Sequence, residues 1–450
     1  MRNAQQWSRR ELLAGAAGTA LAAAGGATGL FAQGGGARKA PPEGKSKPKM
    51  PLVDISVPDI AAFKPSGAPD EGYWKRLRGE FVLDPGITFF NNGAYGPTSR
   101  FVIEARRKYD LELGLDPRNN FRQGELGAVR RRLASFIGAG EDEVALTHAT
   151  TDGVNIFAAG LDWKPGDEVV VKRHEHFGPV AAYEGLAKRY GVKIVQVETP
   201  APPSQTGGAG QIVEAYEKAI TPRTRVLFVS HVTYITGLRT PLKELAELAH
   251  RHGALISVDG VQALGAVGLD VKEAGIDHYA AGGQKWLLGG TGTGFTYVKR
   301  DVQGKIWPRN GFVEDESGRG ASAQRYENTG QLNIPAYAGL AAGVELLQTI
   351  GAANVEARVH HLADRLKQGV AALPGVRLWT SPQPEFSAGL TTFGLGNAEP
   401  GEILRALEAE KIYARSVNEP DVQGVRVSTH VYNSPEEIDR LLAVVRKLAA

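Results

Sequence analysis

The sequence predicts an α/β protein in which a mainly parallel sheet is sandwiched between helices, with a smaller α+β domain at the C-terminal end. Two observations carry this prediction. Between residues 143 and 260, short runs rich in β-branched residues alternate with segments of helical periodicity, the pattern of a helix-covered parallel sheet. From residue 341 the alternation gives way to a long helix and then to shorter elements.

The strand-like runs are short and apolar, and helical segments separate them. One helix is clear, because Pro241 stands at its start, Leu242, Leu245 and Leu248 share one face, and Gly253 ends it. The predicted strands, in chain order, are EVALTHA, DEVVVKR, VKIVQVE, RVLFVSH and ALISVDG.

The first 33 residues have the features of a twin-arginine export signal. Adjacent Arg9 and Arg10 precede an Ala/Gly/Leu run that ends in small residues near Ala32. A lone membrane-anchoring helix is disfavoured, because the run is rich in glycine and only modestly apolar. We therefore expect a periplasmic or otherwise extracytoplasmic protein, with no membrane association after removal of the signal.

The remaining chain divides by composition and pattern. After the signal at 1–33, the predicted parts are a flexible linker rich in Gly, Pro and Lys at 34–70, an N-terminal segment with a large cofactor-binding domain at 71–340, and a small α+β domain at 341–450.

Composition excludes several classes of function. The chain has no cysteine, which removes disulfides, thiolate catalysis and cysteine-ligated metals together. The net charge of +3 is spread along the chain without a dense basic stripe, so nucleic acid is not an expected partner. His174 and His176 have no third ligand at a supporting spacing, so no metal site is predicted.

Polar residues follow the predicted strands at the edge where α/β sheets bind ligands. Thr150 and Thr151 come after the first strand, where hydroxyls and free N–H groups at a helix start suit a phosphate dianion; capping by these threonines or by Asp152 is the simpler local explanation. His176 follows the second strand. It either lies on the face of a planar ring or is a solvated loop histidine.

Asp259 and Lys285 indicate a specific cofactor. Asp259 ends the strand LISV, and Lys285 stands in GGQKWLLGGTGTG. Taken alone, Asp259 would be interpreted as a helix cap and Lys285 as a surface lysine. Together they suit pyridoxal 5′-phosphate (PLP), because a lysine amine binds its aldehyde covalently and an aspartate keeps its pyridine nitrogen protonated.

Arg426 is the candidate anchor for a substrate. It lies on a short apolar strand, GVRVSTHVYN, where burial of a guanidinium requires a carboxylate partner. The alternatives are an anchor for the α-carboxylate of an amino acid and an exposed arginine on an edge strand.

These motifs resemble aminotransferase class V, a family of fold-type I PLP enzymes, and within it the isopenicillin N epimerase-like branch, with cysteine desulfurases as relatives. The resemblance covers about residues 74–448 and implies the fold-type I fold and a homodimer. It is carried by FFNNGAYG, ATTDGVN, RHEHF, VDGVQALG, QKWLLGGTGTGF and VRVSTHVYN.

The resemblance also implies roles for individual residues. Lys285 would bind the cofactor covalently, Asp259 would pair with the pyridinium, and His176 would stack on the ring. The other implied contacts are Gln262 to the O3′ oxygen, Thr150 and Thr151 to the phosphate, Arg426 to the substrate carboxylate, Asn91, Asn92 and Gly93 at the rim of the substrate pocket, and Thr291 or Thr329 to the phosphate of the neighbouring subunit.

The chain departs from the family pattern at several positions. Gln284 replaces the histidine that commonly precedes the lysine, so this side chain can donate a hydrogen bond to the phosphate but carries no charge. Tyr234 stands where desulfurases have an asparagine beside O3′. The order Glu327-Asn328-Thr329-Gly330 is altered, so the resemblance does not fix Thr329 as a phosphate ligand. The absence of cysteine excludes persulfide chemistry on an enzyme thiol.

The sequence therefore predicts a PLP-dependent enzyme that acts on an amino acid or modified amino acid through a Cα carbanion, by epimerisation or transamination. A C–S or other β-lyase is the alternative. A second alternative is a non-catalytic PLP-binding protein; Gln284 and the altered ENTG order favour it, while Lys285, Asp259 and Arg426 oppose it. The predicted partner is a small amino acid substrate.

Overall fold

A computed structural model of the protein describes residues 58–118, 123–199, 208–309, 322–396 and 398–449. The predicted export signal lies outside the described residues. Within the part predicted to be a linker, Ile60–Phe63 form a 3₁₀ helix, and the buried Phe63 accepts a hydrogen bond from the Tyr73 hydroxyl at 2.7 Å. No helix in the described ranges is long and apolar enough to span a membrane.

The large sheet has seven strands in the order β2-β8-β7-β6-β5-β3-β4. Only β8 runs against the others, so the predicted, mainly parallel sheet is confirmed. Each of the five strand-like runs of the sequence forms one of its strands. The strands are β2 (Val144–Thr147), β3 (Glu168–Lys172), β4 (Lys193–Val197), β5 (Thr224–Ser230), β6 (Leu255–Asp259), β7 (His278–Gly282) and β8 (Gly294–Val298).

Helices cover both faces of this sheet. Successive strand residues enter two separate hydrophobic clusters: Val170 and Leu227 belong to one, and Val169 and Phe228 to the other. This alternation means that both faces are buried, as a parallel sheet requires. The helices up to this point in the chain are α1 (Glu71–Arg78), α2 (Arg100–Leu115), α3 (Gln123–Phe136), α4 (Thr150–Gly160), α5 (Phe177–Tyr190), α6 (Gly208–Ala219), α7 (Leu242–Arg251) and α8 (Arg300–Gln303).

Helix α7 forms as its sequence predicts. Pro241 is its N-cap residue, and Leu242, Leu245 and Leu248 are buried on one face. Gly253 follows with a φ of 72°, a left-handed conformation that glycine adopts without strain.

The C-terminal region contains a second, antiparallel sheet in the order β12-β13-β10-β9. Its strands are β9 (Val376–Leu378), β10 (Leu390–Leu395), β12 (Arg415–Glu419) and β13 (Val422–Ser428). The predicted smaller α+β region is thus confirmed as a fold element, although the predicted boundary at 340/341 falls inside a helix. The helices of this region are α9 (Ile334–Ile350), α10 (Ala352–Ala371), α11 (Pro400–Ala409) and α12 (Pro435–Ala449).

A two-stranded parallel pair joins the N-terminal segment to the C-terminal region. Strand β1 (Thr88–Phe89) pairs with β11 (Ile412–Tyr413), and an isolated bridge joins Asn91 to Ser428. The segment that carries the predicted pocket loop therefore lies directly against the strand that carries Arg426.

Candidate active site

The carboxyl ends of the parallel strands meet at one edge of the large sheet. Ser230 and Asp259 are register partners at the ends of β5 and β6, and Asp259 pairs onward with Ala280 of β7. The loops that follow these strands carry Tyr234 and Lys285. The structure thus brings the sequence-predicted polar residues to a common edge, as the strand-end argument expects.

Asp259 is almost completely buried, with 2% of its surface exposed. Burial raises its pKa to about 6, while the N–H of Val261, which donates to its Oδ1 at 2.9 Å, and the charge of Lys285 lower it. The carboxyl is therefore mostly ionised at neutral pH. A buried carboxylate of this kind suits a protonated ring nitrogen as its partner.

Lys285 follows β7 on a loop that the N-terminal segment covers. Burial lowers its pKa to about 8; the charge of Asp259 raises it, and Arg426 and Arg415 lower it further. The N-terminal segment holds this loop in place, because the N–H of Gly96 donates to the Gln284 carbonyl at 2.8 Å. A Cβ at Gly96 would lie 2.3 Å from the Lys285 carbonyl oxygen, so only glycine fits there.

His176 is half-buried and caps α5, because the N–H of Gly178 donates to its Nδ1 at 3.2 Å. Its ring stacks on Phe177 at 4.5 Å and meets Tyr234 edge-on at 4.9 Å. Burial, with the charges of Lys285 and two arginines, lowers its pKa to about 4. The ring is therefore neutral and held between Phe177 and Tyr234, so His176 is not a freely solvated loop histidine.

The start of α4 forms a polar cradle. The N-cap residue is Ala149, which makes no side-chain cap, so capping by the threonines is wrong. The Asp152 carboxylate does accept a backbone N–H at the helix start, from His148 at 3.1 Å, and it also pairs with Arg309. Thr150 Oγ1 and Gln284 Oε1 are buried and have no hydrogen-bond partner in the described part of the chain. A Cβ at Gly282 would lie 3.3 Å and 2.8 Å from these atoms, so they adjoin the same space.

Thr151 is exposed on the same first turn, and a Cβ at Gly178 would lie 3.2 Å from its Oγ1. The first turn of α4 thus presents two hydroxyls and unpaired backbone N–H groups. Such a turn is a site for a phosphate group.

Arg426 is fully buried in the middle of the small sheet, between β12 and β10. The alternative of an edge-strand surface arginine is therefore wrong. Its Nη1 donates to the Tyr234 carbonyl at 2.8 Å and its Nη2 to Asn91 Oδ1 at 3.4 Å, while Nε has no partner among the described residues. Burial, reinforced by Arg415, lowers its pKa to about 9.

Ser428 is a site residue that the sequence analysis missed. Its Oγ is buried without a hydrogen-bond partner in the described ranges, and a Cβ at Gly93 would lie 3.0 Å from both this atom and Arg426 Nη2. Since Ser428 is two residues after Arg426 on β13, the period of a strand places both on one face. The two-residue spacing from Arg426 is the sequence signal that could have identified Ser428.

Gln262 joins the pocket loop to the lysine loop. Its Nε2 donates to the Gly93 carbonyl at 2.9 Å, and its Oε1 accepts from Trp286 Nε1 at 2.9 Å. The amide nitrogen of Gln262 has two hydrogens, and the bond to Gly93 uses one of them. The second is available for the O3′ oxygen of PLP, so that implied contact stays a prediction. Asn92 is buried and accepts a hydrogen bond from the Tyr432 hydroxyl at 3.3 Å.

The remaining sequence-predicted residues lie at the periphery. Thr291 is exposed, and the hydroxyl of the half-buried Thr329 donates to the Glu327 carbonyl at 3.4 Å. Which of the two reaches a neighbouring subunit stays a prediction. His174 pairs with Asp421 at 2.9 Å, and the described residues contain no cluster of three metal-type side chains.

The residues at this edge fit PLP. The hydroxyls of Thr150 and Thr151 border a space suited to the phosphate, and Gln284, whose Oε1 faces this space, would donate there through Nε2 once its amide is rotated. Asp259 suits the ring nitrogen, and Lys285 is an amine with a depressed pKa. Buried polar atoms without partners, such as Thr150 Oγ1, are rare in folded proteins and indicate that a ligand completes them.

Comparison with known proteins agrees with this geometry. Residues 119–441 match the family model described as aminotransferase class-V. The chain is 30% identical over 395 residues to isopenicillin N epimerase of Amycolatopsis lactamdurans, covering 84% of this chain and 98% of that protein. It is 31% identical over 377 residues to a probable cysteine desulfurase of Methanothermobacter thermautotrophicus, covering 78% and 91%.

Solved structures of PLP enzymes share the fold. A C-DES mutant with glycine covalently linked to its PLP cofactor aligns with a TM-score of 0.75 at 27% identity, over 84% of this chain and 99% of that one. The apo cysteine desulfurase of Thermococcus onnurineus aligns with a TM-score of 0.74 at 27% identity, over 83% and 97%. The chain therefore belongs to aminotransferase class V and is a PLP-dependent enzyme of fold-type I.

Proposed function

We propose that this enzyme transfers a proton at the Cα atom of an amino acid or modified amino acid and so catalyses epimerisation or transamination. The observation that carries the proposal is Arg426, a fully buried guanidinium without a carboxylate partner in the described part of the chain, electrostatically coupled to Lys285. A buried cation in this state is matched to an anionic group of the substrate. The likeness to isopenicillin N epimerase supports it.

Bound PLP supplies an electron sink for the negative charge that develops at Cα. Asp259, ionised at neutral pH, holds the proton of the ring nitrogen and so maintains that sink. His176, neutral because its pKa is about 4, adds no competing positive charge over the ring. Thr150 and Thr151 would hold the phosphate group of PLP, and Asp259 would hold its ring nitrogen.

Arg426 binds the α-carboxylate and thereby sets which bond at Cα faces the lysine. Lys285, with a pKa of about 8, is neutral in about one molecule in ten at pH 7 and accepts the Cα proton. The product depends on where the proton returns. Epimerisation would require a proton donor other than Lys285, a second side chain or water, on the opposite face of Cα, whereas transamination would require Lys285 to deliver the proton to the bound cofactor.

A C–S or other β-lyase is the alternative. It is favoured by the likeness to a structure described as the cystine C-S lyase C-DES in complex with cysteine persulfide, with a TM-score of 0.72 at 26% identity over 80% of this chain and 98% of that one. The absence of any thiol excludes a route through an enzyme-bound persulfide. A non-catalytic PLP-binding protein is the second alternative, favoured by Gln284.

One screen separates these functions. PLP-loaded protein is incubated with single amino acids, with and without an α-keto acid as amino acceptor, while racemisation, keto-acid release and ammonia release are followed together. Racemisation alone supports the epimerase, keto acid without ammonia a transaminase, and keto acid with ammonia a β-lyase. If no amino acid changes the visible absorption of the bound cofactor, the proposed reaction at the Cα atom of an amino acid is refuted.

The role of Lys285 has its own test. Lys285→Ala abolishes covalent attachment of PLP, measured by borohydride reduction and mass spectrometry, whereas Lys305→Ala, on an exposed lysine, leaves it intact. Covalent labelling that persists in Lys285→Ala would assign the attachment to another residue.

We also propose that the enzyme is exported by the twin-arginine route and acts as a homodimer in the periplasm. Adjacent Arg9 and Arg10 support export, and the exposed Thr291 beside the lysine loop suits a contact from a second subunit. Replacement of both arginines by lysine retains the protein in the cytoplasm in cell fractionation. Light scattering on the purified protein gives the mass of a dimer; a monomer would refute the assembly.

A further inference from the structure

Arg415 is a second arginine at the substrate pocket. It stands at the start of β12 and is the direct register partner of Arg426 on β13, in an antiparallel pair. Directly opposed residues of an antiparallel pair project from the same face of the sheet, with Cβ atoms about 4.5–5.5 Å apart. The two guanidinium groups therefore leave the sheet on the same side.

That face of the small sheet meets the loop after β5. In the same row as the arginines, Thr392 of β10 bonds to the Ile235 carbonyl, and Arg426 bonds to the Tyr234 carbonyl. Arg415 is the outermost member of this row and is exposed to solvent. Its side chain is thus at the mouth of the pocket whose floor holds Arg426.

The charge of Arg415 acts on the reactive groups themselves. It lowers the pKa of Lys285, of His176 and of Arg426, so its guanidinium lies within electrostatic range of the lysine and of the ring-stacking histidine. A remote surface arginine would not act on all three.

Among the residues that the structure describes, no acidic side chain forms an ion pair with either arginine. Directly opposed like charges such as these destabilise a sheet. Three acids near these strands make other contacts, and of these Glu419 lies on the same face of β12 as Arg415 without forming an ion pair with it in the described ranges. Glu419 accepts from the Tyr234 hydroxyl at 3.4 Å, Asp421 pairs with His174 at 2.9 Å and Arg173 at 3.3 Å, and Glu198 pairs with Arg173 at 3.3 Å.

We propose that Arg415 and Arg426 form a two-anion subsite, and that the preferred substrate is an amino acid with a second carboxylate on its side chain. Arg426 binds the α-carboxylate and Arg415 the side-chain carboxylate. The proposal rests on the proposed function, because it requires an amino acid in this pocket. It accounts for the juxtaposition of two uncompensated guanidinium groups, each of which a carboxylate satisfies in a fork geometry.

The test compares acids with their neutral amides. L-glutamate and L-glutamine, and L-aspartate and L-asparagine, are titrated into the PLP-loaded enzyme, and the apparent Kd is taken from the rapid change in cofactor absorption. We expect at least one acid to bind about tenfold or more tighter than its amide, equivalent to about 1.4 kcal/mol. Arg415→Gln reduces the ratio to below about threefold, and Arg415→Lys restores part of it.

Two further variants complete the test. Arg415→Glu reverses the preference, so that L-ornithine or L-lysine binds tighter than L-glutamate. Arg446→Gln removes the charge of an exposed arginine on α12 and leaves the acid-to-amide ratio unchanged. If Arg446→Gln lowers the ratio as much as Arg415→Gln, the preference reflects net charge and the subsite is refuted.

The outcomes separate the two proposals. If neutral amino acids perturb the cofactor and the acids bind no tighter, the two-anion subsite fails while the proposed function stands. If no amino acid binds at all, the proposed function fails and the subsite fails with it.

Discussion

Replacement of Arg426 by methionine should make the cofactor-free protein more stable while it abolishes recognition of the substrate carboxylate. Arg426 is fully buried, and the described residues provide it with no carboxylate. Methionine has a similar length and no charge, so it fills the space without the desolvation penalty.

The magnitude follows from the pKa of Arg426, which burial lowers from its usual value of about 12.5 to about 9. Each pKa unit corresponds to about 1.4 kcal/mol, so the folded protein holds this charge at a cost on the order of 5 kcal/mol relative to water. Methionine loses the bond at 2.8 Å to the Tyr234 carbonyl and leaves that oxygen unpaired, a penalty of about 1–3 kcal/mol. The expected net gain, which is the first figure less the second, is about 2–4 kcal/mol.

The assay is urea unfolding of the cofactor-free variant and wild-type proteins, paired with amino acid titration of the PLP-loaded forms. We expect a higher urea midpoint and an apparent Kd for amino acids raised at least about 100-fold, since two charge-assisted hydrogen bonds are lost. A variant that is no more stable than wild type, or that binds amino acids as wild type does, would refute the reasoning.

Arg358 provides a matched control. It is also buried, with 3% of its surface exposed, but its guanidinium pairs with Glu71 and donates to the Asn433 carbonyl at 2.9 Å. Arg358→Met should therefore lower stability, by about 2–4 kcal/mol, because it breaks a satisfied arrangement. If Arg426→Met raises the stability and Arg358→Met lowers it, the difference isolates the effect of the missing carboxylate partner of Arg426.

Three further predictions concern the rate of PLP uptake, the rate of PLP release and the pH dependence of stability. Because burial lowers the pKa of Lys285 to about 8, uptake of PLP by cofactor-free protein should accelerate about tenfold per pH unit up to pH 8 and level off above it, whereas a continued rise to pH 10 would indicate an ordinary lysine. Gln284→His should slow PLP release several-fold at pH 6 and little at pH 8.5, followed by fluorescence, because only the protonated imidazole adds charge at the phosphate. Burial lowers the pKa of His278 to about 3, so between pH 6.5 and 4.5 the unfolded chain binds a proton that the folded chain does not, and stability falls with acidification. In urea unfolding, His278→Asn should reduce this loss by about 1.4 kcal/mol per pH unit; an unchanged slope would contradict the neutral buried histidine.

Much of the large sheet and its ligand edge could be predicted from the sequence. The five strands and helix α7 are local patterns of period two and period 3.6, with proline and glycine at the helix boundaries, and such patterns act over a few residues. The strand-end rule then places Asp259 and Lys285 at one edge without knowledge of any long-range contact.

The sequence could not decide between the alternatives at Thr150, His176 and Arg426. For each of these residues, the two alternatives differ in how buried the side chain is and in which side chains from distant parts of the chain contact it. Thr150 proved to be buried beside Gln284, and Arg426 proved to lie in a central strand of the small sheet. Local sequence carries no information on which side chain approaches from more than a hundred residues away.

The sequence by itself thus determined the α/β class, the cofactor and the absence of thiol chemistry, and it predicted the roles of Lys285 and Asp259. Only the tertiary structure decided that Arg426 is an uncompensated buried charge, that Ser428 faces the same space, and that Arg415 stands opposite Arg426 across a strand pair. The physical reason is that residue type and spacing fix local conformation, whereas the pKa of a side chain and the pairing of charges depend on desolvation and on register, which exist only once the sheets have packed.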